Sequence, residues 1–128
     1  MSANSHYRKK LGAWGEAQGR EYLTKKGYIL LEKNYHTRFG EIDLIMSSGA
    51  RLVAVEVKTR RSNAYGIAEY SITPKKFQSL QAAMQVYLYS LDEPVPDWQV
   101  DVLVIETTSR DSPEIIHYEN VYLDYLNE

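Results

Sequence analysis

Phe39-Gly40-Glu41-Ile42-Asp43-Leu44-Ile45 and, past a short polar stretch, Val53-Ala54-Val55-Glu56-Val57-Lys58-Thr59-Arg60 are the segments that decide the fold. Each sets carboxylates inside an apolar run of strand character. Side chains on a strand alternate between faces, so Glu41 and Asp43 are expected on one face with Ile42 and Leu44 on the other; Glu56 and Lys58 likewise oppose Val53, Val55 and Val57. Ser47-Ser48-Gly49-Ala50 between the runs carries turn signals, which predicts an antiparallel hairpin. A tight loop at Ser48-Gly49 pairs Ser47 with Ala50, and a longer loop in the same register pairs Met46 with Arg51. That register sets Glu41 across from Glu56 and Asp43 across from Ala54. The charged side chains then project together, about 5 Å apart directly and about 7–8 Å diagonally.

Three carboxylates and one lysine on a half-buried face call for a further cation. Like charges opposed across a sheet are unfavourable, and a carboxylate buried without a partner costs several kcal/mol. A hard divalent ion meets the need, because Mg²⁺ takes one or two carboxylates plus waters and phosphate oxygens. Such an ion lowers the pKa of a bound water and polarises a phosphoryl oxygen, while Lys58 orients the nucleophile or stabilises developing charge. Phosphodiester hydrolysis is the matching reaction. A Glu-x-Lys strand alone reads as a surface ion pair worth about 0–1 kcal/mol. Its register with Asp43 across a tight hairpin is what points to chemistry.

Working outward, residues from Lys9 to about Lys26 are helix-compatible, with Leu11, Trp14 and Tyr22 spaced for one face and Gly27 as a stop. Gly12, Gly15 and Gly19 each weaken that helix by roughly 1 kcal/mol against Ala, which close approach to a sheet or ligand would offset. Strands follow at Tyr28–Tyr35, Glu41–Met46 and Leu52–Lys58. Thr73-Pro74 starts a second helix, whose stripe of Phe77, Leu80, Met84, Tyr87 or Leu88 and Leu91 carries it to about Ser90. Val100–Ile105 and Ile115–Val121 read as the last strands. The order αβββαββ predicts an α/β fold, in a single domain over residues 1–128 with its core at about 9–121.

The chain has no Cys, so a bound metal must use oxygen or imidazole ligands. His6, His36 and His117 share no ligand spacing, which excludes a zinc site of the usual kind. No apolar run approaches the roughly 20 residues of a membrane span and no signal-peptide core is visible, so a cytoplasmic protein without a membrane partner is expected. The net charge is −2 and the pI about 5.9, yet the distribution is lopsided. Up to residue 76 there are 14 Lys and Arg against 7 Asp and Glu, and from residue 77 there is 1 against 10. A basic face can therefore coexist with an acidic total. Arg38, Arg60 and Arg61 are candidates to grip phosphates, as are Lys75 and Lys76 at a helix start, where basic residues oppose the macrodipole. The 11 Tyr are assigned to packing rather than base stacking.

With these motifs in hand the chain resembles the YraN-like bacterial family, and is similar to the PD-(D/E)xK restriction-endonuclease-like nucleases, especially the Holliday-junction resolvases. The resemblance covers most of residues 9–105. It rests on Gly15-Glu16 with Gly12 and Gly19, on Gly40-Glu41-Ile42-Asp43, on Glu56-Val57-Lys58-Thr59-Arg60, and on the lysine-bearing second helix. Ile42 stands where the motif's name has Pro. The resemblance implies a restriction-endonuclease-like fold, a mixed central sheet flanked by helices, with Asp43 and Glu56 as ligands to Mg²⁺ or Mn²⁺. It further implies Lys58 as the catalytic lysine and Glu16 as an acid reaching in from the first helix. The expected function is that of a metal-dependent endonuclease acting on structured or branched DNA, working as a homodimer where two symmetric cuts are needed. Its rivals are a nucleic-acid-binding protein that keeps the fold without turnover, and a protein-interaction module that pairs the basic and acidic halves.

Overall fold

The computed structural model describes residues 3–61, 72–107 and 113–122. Their elements are α1 (Ala3–Lys25), β1 (Ile29–Thr37), β2 (Gly40–Ser48), β3 (Arg51–Arg61), α2 (Pro74–Ser90), β4 (Trp98–Thr107) and β5 (Glu114–Tyr118). The expected order holds. The five strands lie in sequence order in one sheet, antiparallel except for β3 and β4, which run parallel. Parallel neighbours need a crossover, and α2 lies on the chain path that supplies it. Thr73 caps α2 by accepting a hydrogen bond from the Lys76 amide at 3.1 Å, with Pro74 at the first helical position as the sequence indicates. Among the described residues no helix is long and apolar enough to cross a membrane.

The sheet separates two apolar clusters. On the α2 side Phe77, Leu80, Met84 and Leu88 pack with Ile45, Ala54, Val100, Val102 and Val104. On the α1 side Leu23 and Tyr28 pack with Leu44, Met46, Val53, Val55 and Leu103. Packing accounts for Tyr28 and Tyr87, which are both buried, whereas Tyr7, Tyr89, Tyr118 and Tyr122 are exposed. Two of the helix glycines are explained by close approach. A Cβ on Gly15 would be driven into the Thr59 side chain, and one on Gly19 would lie 3.0 Å from Leu103 Cδ1. Gly12 meets nothing within 4 Å.

The β2–β3 hairpin differs from expectation in register. Ser48 pairs with Arg51 and Leu44 with Val55, so the loop is Gly49-Ala50 and each partner is displaced by two residues. The reason lies in the turn. Gly49 has φ 62°, and two-residue turns of the primed type II class require such an angle at their first central position. Reading Gly49 as the second position produced the slip. An even shift preserves faces along the paired stretch, with Ile45 rather than Asp43 across from Ala54, but the ladder stops at Leu44 and Val55, so Glu41 is not paired with Glu56 as expected.

A second difference concerns Ile42 and Leu44, expected on one face. Ile42 packs in the α2-side cluster and Leu44 in the α1-side cluster, so the alternation of β2 breaks at Asp43. The paired ladder to β3 ends at the same place, at Leu44 and Val55.

A polar knot sits within the far side of the sheet. Asp101, fully buried, accepts hydrogen bonds from Tyr28 Oη at 2.9 Å, Gln99 Nε2 at 2.7 Å and the Asn120 amide at 3.0 Å, with His117 Nε2 at 2.7 Å. Burial pushes its pKa up, but these partners, His117 foremost, outweigh it and hold the carboxyl below its usual value. The Asn120 contact comes with φ 52° at that residue and ends β5 at Tyr118, short of the expected Val121.

Candidate functional site

The site forms where β2 peels away from β3. Asp43 Oδ2 accepts the Val57 backbone N–H at 2.8 Å, so a side chain takes the place of the missing ladder partner and fixes the carboxylate against β3. Glu56, one position earlier on β3, is buried at 8% exposure and shares a hydrogen bond with Asp43. Burial is the larger cause, and Asp43 the next, that pushes the Glu56 carboxyl up to about 7. Asp43 is also raised, by burial first and by Glu41 nearby, against the lowering effect of the Val57 amide. Two carboxylates in contact with raised pKa values are held together without enough positive charge to ionise both freely.

Lys76 supplies part of that charge. Its Nζ lies 3.4 Å from Glu56 Oε2 as an ion pair without hydrogen-bond geometry, and Oε2 is left buried with no hydrogen-bond partner. From sequence alone Lys58 is the expected counter-charge and Lys76 an expected phosphate contact. Lys76 has the larger influence on Glu56, with Lys58 behind it. A signal existed: a helix that crosses from β3 to a parallel β4 must start near the end of β3 that carries Glu56 and Lys58.

Glu16 joins the cluster from α1. Its carboxyl is raised by burial, then by Asp43 and Glu41, and lowered by a hydrogen bond with Asn34 and by Lys33. The close seat of Gly15 on Thr59 brings it there. Asn34, which the sequence reading did not single out, holds φ 50° inside β1, a left-handed angle that Asn tolerates better than most residues. Glu41 faces His36 at 3.6 Å.

Lys58 is exposed and borders a cleft of about 720 Å³ that it shares with Glu16, Tyr7, Arg8, Leu11, Gly12, Val57 and Thr59. Gly12, without a packing partner, forms part of its wall. A second cleft of about 640 Å³ opens on the other side of Glu16 and carries Arg20, Lys25, Lys33 and Asn34. The expected phosphate contacts divide. Arg38 and Lys75 are exposed. Arg61 donates from Nε to Tyr7 Oη at 2.7 Å, and Arg60 is 3.3 Å from the buried Glu106.

Among the described residues no three His, Asp or Glu side chains converge as a metal site built of side chains alone. Two adjacent carboxylates, one with a buried oxygen that meets the Lys76 ammonium at 3.4 Å and no hydrogen-bond donor at good geometry, nevertheless fit a hard cation that completes its shell with water and substrate oxygens.

Fold and site together define an α/β sheet protein whose central strands carry a buried carboxylate pair with Lys76 against it and Lys58 nearby. The chain belongs to the Uncharacterised protein family UPF0102, which it matches over residues 15–105. A UPF0102 protein of Herpetosiphon aurantiacus is 42% identical over 121 residues, covering 91% of this chain and 97% of its own. One from Syntrophomonas wolfei is 45% identical over 97 residues, covering 76% and 84%, and one from Geobacter sulfurreducens 35% identical over 122 residues, covering 95% of each.

Proposed function

We propose that this chain is a metal-dependent endonuclease of restriction-endonuclease-like fold, a single cytoplasmic domain that hydrolyses phosphodiesters in structured or branched DNA. The observation that carries the reading is the contact of Asp43 with Glu56, both carboxyls raised and one oxygen of Glu56 buried without a hydrogen bond. Asp43 and Glu56 would hold Mg²⁺ or Mn²⁺, which supplies a concentrated positive charge and a bound water of lowered pKa. Lys58, exposed at the edge of its cleft, is suited to orient a water or to stabilise charge on the phosphoryl oxygens. Hydrolysis joins the water oxygen to phosphorus and breaks the bond from phosphorus to a sugar oxygen, which leaves with the bonding pair and takes up a proton from solvent. Glu16, with its raised pKa, is a reservoir for the proton released from the water. Arg38, Lys75 and the cations of the two clefts would hold flanking phosphates, and two symmetric cuts in a branched molecule would need two copies of the chain.

The test is incubation of the full chain with linear and four-way-junction DNAs in Mg²⁺, beside the Asp43→Asn, Glu56→Gln double variant. Cleavage by the first and none by the second is the expected result. The Lys76 ion pair favours a second reading, a DNA-binding protein without turnover, because it neutralises Glu56 in part with no metal. Binding that is indifferent to Mg²⁺, with no cleavage of any DNA, would select it.

A further inference from the structure

Thr37 pairs with Gly40, so the turn between β1 and β2 consists of Arg38 and Phe39. Turns of this length select Gly, Asn and Asp, which suit the backbone angles and leave a polar tip. Neither tip residue here is of that kind, and Phe39 keeps 45% of its surface exposed. The tip is nonetheless firmly mounted. Thr37 Oγ1 accepts from the amides of Phe39 at 3.0 Å and Gly40 at 3.2 Å, and donates to the Gly40 carbonyl at 2.9 Å. Gly40, at φ 155°, lies so close to α2 that a Cβ on it would be 3.2 Å from Ser79 Cβ. The Arg38 guanidinium carbon stands 4.7 Å from the centroid of the Phe39 ring.

An exposed phenyl ring held in place under a guanidinium has the form of a platform for a nucleobase: the base stacks on the ring and the cation attends its phosphate. The turn backbone beneath the ring is fixed by Thr37, and the ring's described contact is the Arg38 guanidinium over it. Position supports the same occupant. Phe39 precedes Asp43 by four residues of strand, a rise of roughly 13 Å. At about 3.4 Å per stacked nucleotide, a base on Phe39 lies about four nucleotides or fewer from a phosphodiester at Asp43 and Glu56.

We infer that Phe39, capped by Arg38, is a wedge that stacks on an unpaired base, so that the chain selects DNA with a locally unpaired stretch beside the bond to be cut. The inference rests on the reading of Asp43 and Glu56 as a phosphodiester site. Its test measures binding in EDTA, so that cleavage plays no part, using a duplex interrupted by a short unpaired loop containing 2-aminopurine and the same duplex fully paired. Wild type is expected to bind the looped probe at least about fivefold more tightly and to quench its fluorescence. Phe39→Ala should erase that preference while leaving affinity for the paired duplex unchanged, and Phe39→Trp should retain it. Equal weakening on both probes, an undiminished preference in Phe39→Ala, or no binding of either probe by wild type overturns the wedge. Preferential binding by a protein that cleaves nothing in Mg²⁺ would sink the nuclease reading and leave the wedge standing.

Discussion

Glu56 gives the metal-free protein a pH dependence of stability whose sign and size follow from its surroundings. On folding its carboxyl moves from 4.5 to about 7, because burial and Asp43 oppose ionisation more than Lys76 and Lys58 favour it. At pH values below 4.5 the folded and unfolded chains both hold the proton, and Glu56 has no effect. Between 4.5 and about 7 the unfolded chain ionises first, so the folded state loses stability as pH rises. Above that window both states are ionised and the full penalty stands, about 3 kcal/mol at roughly 1.4 kcal/mol per pH unit. Glu56→Gln removes the titration. At about pH 8 the variant should be more stable than wild type by up to about 3 kcal/mol, less whatever Lys76 loses with its partner, and the two should converge in acid. Urea unfolding followed by circular dichroism, in EDTA and across this pH range, measures the difference. Excess Mg²⁺ should flatten the wild-type slope, since a cation favours the ionised pair. Parallel pH profiles for wild type and Glu56→Gln would refute the reasoning, because the penalty would then lie elsewhere.

Gly15→Ala should destabilise by about 1–3 kcal/mol in thermal unfolding, since its methyl meets Thr59 and α1 must lift; a neutral effect would mean the helix does not seat there. Asp101→Ala should cost about 3 kcal/mol or more by leaving buried donors without an acceptor. Because the Asp101 pKa is held below its usual value, its contribution is present at neutral pH and lost as pH falls through the folded value, so the gap to wild type should narrow in acid. A gap that widens in acid would contradict the assignment. Lys58→Met should leave unfolding within about 0.5 kcal/mol of wild type, the residue being exposed, yet lower single-turnover cleavage by about 100-fold. Unchanged cleavage would remove Lys58 from the mechanism.

Apolar runs and punctuation residues suffice to find both helices and all five strands, because β3 and β4 are continuous buried apolar stretches bounded by turn and loop residues. Thr73-Pro74 located the start of α2 by a local rule that the tertiary structure leaves untouched. The hairpin register was missed by two because Gly49 fits either central position of a turn, and only the backbone angle decides. Alternation could not foresee that Ile42 and Leu44 part company, since a strand's faces are defined only while its ladder continues. Asp43 and Glu56 were legible as charges inside apolar strands. Lys76 becomes legible as a member of the cluster only once β3 and β4 are taken as parallel neighbours joined by α2, and Asn34 is not legible at all, since it enters through a left-handed residue within a strand. The Asp101 knot was hidden for a similar reason, its partners being drawn from four places in the chain that no spacing links.

The bond from the Val57 amide to Asp43 binds the chemistry to the architecture. An alanine at position 43 would remove the carboxylate proposed to hold the metal and also strand the Val57 amide at the point where the sheet opens, so a loss of the proposed activity and a loss of order would arrive together. Asparagine keeps an acceptor for that amide while discarding the charge, which separates the two effects. A site of this design resists gradual decay: its acid cannot drift to an apolar residue without the fold registering the change.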